Sequence, residues 1–282
     1  MDGNRQTTLK RPVYVSGIAL HTGERIHMQV LPAEADNGIV FCRTDLPDQP
    51  KVRAKLDQVT DTRRATTICD RQVQVHTTEH LLAALFALGI DNAEIQMDGA
   101  EPPVADGSAA EFTKALREAG THTQTANRKI LKIADPVVFE TGDSMLIGLP
   151  RDGEFRVSCT VRYNQSPLDC QYLSLAVTAE TFSRDLANAR TFCMYEEIEA
   201  LMTADLIRGG SLDNAVVLKD DIVLSREGLR YDDEFVRHKI LDLVGDLSLT
   251  GCRIEGHIVA VKPGHPSNIE FARLLVKAEH GS

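Results

Sequence analysis

Apolar and polar positions alternate along residues 14–18, turn at His21-Thr22-Gly23, and alternate again over residues 26–30. A period of two belongs to half-buried strands, so this stretch predicts a hairpin. The period lengthens at Leu81, Leu82, Leu85, Phe86 and Leu88, which follow Thr77 and Thr78 and precede Gly89. That spacing predicts a helix leading into a strand over residues 93–97. Asp106-Gly107-Ser108 supplies the start of a second helix over about residues 109–119, and Gly120 supplies its stop. Residues 120–128 are polar without an apolar period and predict a linker, placing a domain boundary near residue 124. The same grammar then repeats, with strands near 130–138, 145–149 and 155–162, a helix over 235–249, a strand over 253–261 and a last helix near 266–279. Element order therefore predicts an α+β chain of two similar domains, 1–124 and 125–282. Residues 184–220 interrupt the repeat with Ile198, Leu201, Met202, Leu206 and Ile207 ahead of Gly209-Gly210, and read as an inserted helical element.

The 235–249 helix carries the most informative polar pattern. A helix advances about 100° per residue, so His238, Asp242 and Asp246 gather with Lys239 within about a 100° arc, opposite Val236, Ile240, Leu243, Val244 and Leu247. The apolar arc packs; the titratable arc faces either water or a working cavity. Residues 76–80, His-Thr-Thr-Glu-His, match the H-x-x-E-H pattern in which two histidines one turn apart hold zinc and the glutamate is general base. The plainer alternative leaves His76 exposed and His80 bonded to backbone. Catalytic zinc commonly takes three protein ligands, a number that His238 and Asp242 reach with either His80 or His76. In Lys262-Pro263-Gly264-His265 a strand is expected to end and a helix to begin, with Gly264 allowing a close backbone approach and His265 presenting an exposed imidazole for proton transfer.

Composition narrows the partners. At 282 residues, 43% hydrophobic and 26% charged, the chain is long enough for two cores and ordinary for a globular enzyme. A net charge of −10 without clustered Lys and Arg argues against nucleic acid, while an anionic small molecule could still bind locally. No stretch approaches the roughly 18–20 apolar residues of a membrane span, and the N-terminus lacks an apolar signal core. Six cysteines without C-x-x-C spacing fit reduced thiols. The expectation is a cytoplasmic protein, monomeric rather than assembled, without stable membrane insertion.

Several motifs recur together: Gly17-Ile18-Ala19-Leu20-His21-Thr22-Gly23, Thr78-Glu79-His80-Leu81, Asp106-Gly107-Ser108-Ala109, Ala189-Arg190-Thr191-Phe192, Gly209-Gly210-Ser211, Gly228-Leu229-Arg230-Tyr231, Asp233-Glu234-Phe235 with His238-Lys239 and Asp242-Leu243-Val244-Gly245-Asp246, and Lys262-Pro263-Gly264-His265. In order and spacing this set resembles the LpxC family of zinc-dependent deacetylases. The resemblance implies two domains, each a layered β-sheet with helices, packed helix layer to helix layer, with small insertions forming the active site. It implies hydrolysis of the acetamide of a UDP-3-O-(3-hydroxyacyl)-N-acetylglucosamine, an early committed step of lipid A biosynthesis in Gram-negative bacteria. Under it, His80, His238 and Asp242 bind Zn²⁺, Glu79 is general base, Thr191 holds the oxyanion, and His265 assists the leaving amine. Asp246 then orients His265, and Lys239 adds positive charge near the carbonyl or the diphosphate. The 184–220 insertion becomes an apolar passage for the acyl chain, to which Phe192, Ile198, Leu206 and Ile207 contribute. Lys262 and Tyr163 fall where the family contacts UDP, with Tyr163 in place of a usual Phe. Against the family pattern, Cys193 and Met194 replace Gly and Phe, Pro266-Ser267 replaces Ala-Leu, and Ser144 stands where some members carry a lysine. His76 lies outside the pattern, so His80 alone is expected from its helix; a metallopeptidase using His76, Glu79 and His80 is the alternative.

Overall fold

Strand pairing repeats between the two halves of the chain in the computed structural model, which describes residues 4–162, 170–220 and 222–280. The first sheet runs Val13–Ile18, Arg25–Pro32, Ala93–Met97, Ile39–Arg43, Lys51–Arg53. Its central strand, Ala93–Met97, is antiparallel to Arg25–Pro32 and parallel to Ile39–Arg43. The second sheet runs Val137–Thr141, Ser144–Leu149, Arg253–Val261, Phe155–Arg162, Cys170–Ala176. Here the central strand, Arg253–Val261, is antiparallel to Ser144–Leu149 and parallel to Phe155–Arg162. Two hairpins thus flank one late strand in the same order and direction twice, and the α+β reading with two similar halves holds. Arg253–Val261 buries every second residue, as a strand with one face on the core must.

Among the described residues the α-helices are α1 (Glu79–Ala87), α2 (Ala110–Ala119), the single turn α3 (Ala179–Thr181), α4 (Tyr195–Thr203), α5 (Glu234–Ser248) and α6 (His265–His280). In each half a helix precedes the central strand (α1, α5) and another follows it (α2, α6). Helix α1 packs on α2 and α5, and α5 packs on α6, so the two helical layers meet along α1 and α5. Every residue of α1 is buried: Leu81 to Ala87 are apolar on all sides of the helix, and Glu79 and His80 are buried with them in its first turn. Leu81 and Leu85 share one continuous core with Val236, Leu243 and Phe271. Gly89, at φ +79°, ends α1: its N–H reaches Phe86 O at 3.0 Å and that of Ile90 reaches Leu85 O at 2.9 Å. A left-handed residue with this bond pair satisfies the last carbonyls of a helix. From the other half, Arg253 donates to the Phe86 carbonyl and pairs with Asp91, which Arg128 also holds at 2.7 Å, fastening that end of α1 to the second sheet.

Three expectations change. The supposed linker 120–128 contains the strand Thr121–Asn127, paired antiparallel with Arg5–Leu9. It lies mostly exposed, so apolar alternation was never needed, and β-branched Thr121, Thr123 and Thr125 carried the signal instead. The 130–138 strand divides into Ile130–Lys132 and Val137–Thr141 around Pro136, which has no N–H for a ladder. The 184–220 insertion is not simply helical: Phe192–Met194 and Val216–Lys219 pair in parallel around α4, and Ile222–Leu224 adds an edge. Its counterpart in the first half, a three-stranded sheet of Val59–Asp61, Thr67–Asp70 and Val73–Val75, went unread because its strands are too short to show a period. No helix among the described residues is long and apolar enough to cross a membrane.

Helix α5 presses directly on the α1 backbone at Gly245, where an added Cβ would lie 2.1 Å from the Glu79 carbonyl oxygen. Backbone cannot yield as a side chain can, so Gly245→Ala must push α5 off α1. The expected loss is about 1–3 kcal/mol, as for an overpacked core, read as a lower urea midpoint at unchanged slope.

Candidate metal centre

Helix α5 carries a charged stripe yet is buried along nearly its whole length, including His238, Asp242 and Asp246. The stripe therefore faces an internal space rather than water, and α1 supplies the opposite wall. Asp242 Oδ1 lies 3.4 Å from His238 Nε2 and 3.5 Å from His80 Nε2, and the three ligand atoms lie within 4.8 Å of one another. Ligands about 2.0–2.1 Å from a tetrahedral ion stand about 3.3 Å apart, so the spacing suits such an ion. Asp242 Oδ1 is buried and accepts no hydrogen bond. A buried acceptor left so is costly, and a cation between the three groups removes that cost.

The protonation states agree. Burial, with His80 and Lys239 nearby, outweighs the Asp242 charge and pushes His238 down to about 3. Burial opposes ionisation of Asp242, but His238, Lys239 and His80 hold its carboxyl well below the usual range. Neutral imidazole beside carboxylate is the state a metal requires. His238 Nδ1 donates to the Ala189 carbonyl at 3.1 Å, which directs its other nitrogen to the site. Lys239 Nζ donates to Asp242 Oδ2 at 2.9 Å, occupying the oxygen that faces away from the histidines.

One turn along α5, Asp246 organises a second group. Its Oδ2 accepts from His265 Nδ1 and Asn268 Nδ2, each at 2.8 Å, and its Oδ1 accepts from Thr66 Oγ1 at 2.5 Å. His265 Nε2 stands 3.7 Å from Glu79 Oε1. Burial disfavours the His265 cation, yet Asp246, Glu79 and Asp242 together raise it to about 10. Glu79 is raised as well, chiefly by burial and also by Asp246 and Asp242, against the pull of His265 and His80. The Thr66 backbone N–H reaches Glu79 Oε2 at 3.1 Å, so Thr66 touches both carboxylates. Sequence reasoning missed Thr66 and Asn268; neither carries a charge or a spacing that marks it. His265 is buried rather than exposed, and Gly264 makes no close approach, its Cβ position meeting only Pro266 at 3.9 Å. Ser267 instead closes that turn by accepting from the Gly264 N–H at 3.0 Å, and Pro266 takes the second position of α6, where a missing N–H costs nothing.

His76 is excluded. Thr77 has φ +52° and α1 starts at Glu79, so His76 and His80 do not share a helical turn, and His76 Nδ1 bonds Thr67 Oγ1 at 3.0 Å. The peptidase reading, which needs His76 as a ligand, is not favoured. Beside the centre, Phe192, Ile198, Leu206 and Ile207 line a cavity of about 540 Å³ with Thr191 and Cys193, joined by Leu20, Leu201 and Val217, which sequence reasoning had not assigned to it. Thr191 is held there by its N–H to the Gly107 carbonyl at 2.8 Å. The Phe192 ring meets those of Phe235 and His238 at centroid distances of 4.7 and 6.1 Å. Met194 sits at the start of α4, its N–H bonded to Glu197. Lys262 does not line this cavity; its Nζ pairs with Asp143 at 2.9 Å, and its carbonyl accepts from Ser144. Tyr163 lies outside the described residues.

A family model described as UDP-3-O-acyl N-acetylglycosamine deacetylase, LpxC, matches residues 6–277. The chain belongs to the LpxC family. Proteins named UDP-3-O-acyl-N-acetylglucosamine deacetylase are similar to this LpxC-family chain over nearly its whole length. The one from Chlamydia felis is 45% identical over 96% of the chain and 97% of its own length. Those from Syntrophotalea carbinolica and Geotalea uraniireducens are 44% and 43% identical, covering 97% and 96% of the chain and 89% and 88% of theirs.

The geometry separates the histidines by experiment. His80→Ala, His238→Ala and Asp242→Ala should each yield folded protein with far less than one bound metal ion per chain, whereas His76→Ala should keep its metal. Elemental analysis after gel filtration reads this directly, and metal loss in His76→Ala would return that residue to the ligand set.

Proposed function

We propose that this chain hydrolyses the acetamide of a UDP-3-O-(3-hydroxyacyl)-N-acetylglucosamine with Zn²⁺ held by His80, His238 and Asp242. The observation that carries the metal assignment is the unbonded, buried Asp242 Oδ1 facing two imidazoles; family membership supplies the substrate. When bound, Zn²⁺ supplies a Lewis acid that acidifies water and polarises the amide carbonyl. Glu79, a buried carboxylate with a raised pKa, takes the proton from the attacking water. His265, kept cationic by Asp246, gives a proton to the departing amine or stabilises its charge. Thr191 steadies the developing oxyanion from the cavity wall, and Lys239 fixes the Asp242 carboxylate while adding positive charge near the carbonyl or diphosphate.

The apolar cavity receives the acyl chain along Phe192, Ile198, Leu206 and Ile207, and Lys262 with Tyr163 takes the UDP end. With the boundary moved to the end of the strand Thr121–Asn127, which pairs with Arg5–Leu9 of the first half, Glu79 and His80 lie in one domain and the remaining assigned groups in the other, so the reaction takes place where the two meet. Six free cysteines suit the reducing cytoplasm of a Gram-negative bacterium.

Acetate release from the acylated nucleotide sugar tests the reaction: turnover should vanish on chelation and return with one equivalent of Zn²⁺, and turnover indifferent to chelation would overturn the metal assignment. Across an acyl series, each methylene entering the cavity contributes up to ~0.8 kcal/mol, roughly a fourfold lower KM per carbon until the cavity is full; a flat series would sink the passage assignment. Because His265 acts protonated, activity falls as pH rises through its pKa. Asp246→Asn removes the main charge that holds the pKa up, so the alkaline limb of kcat/KM should move to lower pH by about 1–3 units.

A further inference from the structure

Arg190 and Glu234 form a buried ion pair, with only 2% and 0% of their side chains exposed. Neither contributes a ligand atom to the metal group. Taking two charges out of water is unfavourable, and apolar replacement of such a pair often leaves a fold equally stable, so stability is a poor account of it. Its geometry is more specific. The Glu234 carboxylate accepts from Arg190 Nε at 2.8 Å, Arg190 Nη2 at 3.0 Å, the Arg190 backbone N–H at 3.0 Å and the Arg230 backbone N–H at 2.8 Å. The guanidinium also binds the Gly228 carbonyl at 2.5 Å, tying the 228–230 turn to the same point.

The third of these bonds matters most. The Arg190 N–H and the Ala189 carbonyl belong to one planar trans peptide, whose two ends point in opposite directions. Glu234 holds the N–H end, and His238, one turn further along α5, bonds the carbonyl end through Nδ1 at 3.1 Å. A single rigid unit thus bridges positions i and i+4 of the helix. A carbonyl only accepts, so His238 must carry its proton on Nδ1 and aim the Nε2 lone pair at Asp242 Oδ1 and His80. The same segment continues into Thr191, fixed on its other side by Gly107.

We propose that Arg190 and Glu234 are positioning residues that lock the 189–190 peptide, and that this lock presets the His238 tautomer and the placement of Thr191 before metal arrives. The proposal rests on His238 being a metal ligand, as argued above.

Three measurements test it on the full chain. In metal-stripped wild-type protein, ¹⁵N NMR of His238 should show the Nδ1–H tautomer; an Nε2–H imidazole overturns the proposal without any variant. In Glu234→Gln, where an amide N–H₂ confronts the guanidinium, Zn²⁺ affinity by chelator competition should fall about 10–100-fold, the usual effect of losing a group that orients a ligand. The kcat should fall with little change in the KM of the nucleotide sugar. The double replacement Arg190→Met with Glu234→Leu supplies the control for folding. Restored thermal stability with Zn²⁺ affinity still reduced at least tenfold supports positioning, and affinity restored to within twofold of wild type overturns it. If His238→Ala binds Zn²⁺ as tightly as wild type, the ligand assignment itself has failed, which is a different result from an unaffected Glu234→Gln.

Discussion

The backbone contact between Gly245 and Glu79 is the constraint on which the rest of the site depends. A glycine in mid-helix weakens that helix by roughly 0.5–1 kcal/mol relative to alanine, and here it lets α5 press on the first turn of α1. Three residues before Gly245 stands Asp242; the residue after Glu79 is His80. The approach that closes the interface is therefore the one that brings a carboxylate and an imidazole from opposite halves to 3.5 Å. The first turn of α1 meets the C-terminal half of α5, and His80, His238 and Asp242 gather beside that contact.

Within that interface two carboxylates, one turn apart on α5, give two histidines opposite states. His238 faces Asp242 but also His80 and Lys239, and burial prevails, leaving it neutral and able to bind a cation. His265 faces Asp246, Glu79 and Asp242, and three carboxylates outweigh the same burial, leaving it charged. Paired groups whose surroundings push their pKa values apart are how one cavity supplies both a ligand and an acid. Thr66 links the two sets, touching Glu79 with its N–H and Asp246 with its hydroxyl.

The repeated topology explains where variation could enter. Both halves use the same five-strand order around a late central strand, and each interrupts it just ahead of the helix that faces the interface. In the first half the interruption is a small sheet that presents Thr66; in the second it is a parallel strand pair around α4 that walls the apolar cavity. Equivalent places in the fold thus hold the parts that differ, while the helices that meet occupy the same position in each half.

Hydrophobic period alone marked the long elements, because α5, α6 and the central strands each pack an apolar face or stripe on the core and must write that period into their residues. The motif order was sufficient for family membership, and the stripe His238, Asp242, Asp246 was visible because a helix fixes side chains four apart onto one face. What stayed hidden was nonlocal or featureless. The exposed ribbon 121–127 has no buried face to mark it, and Thr66 is an uncharged residue whose partners lie 13 and 180 positions away. Residues 76–80 matched a two-histidine motif until the positive φ of Thr77 separated them. Sequence spacing determines which residues can share a face; only packing decides whether that face meets water, lipid or another helix, because burial is a property of the assembled surfaces.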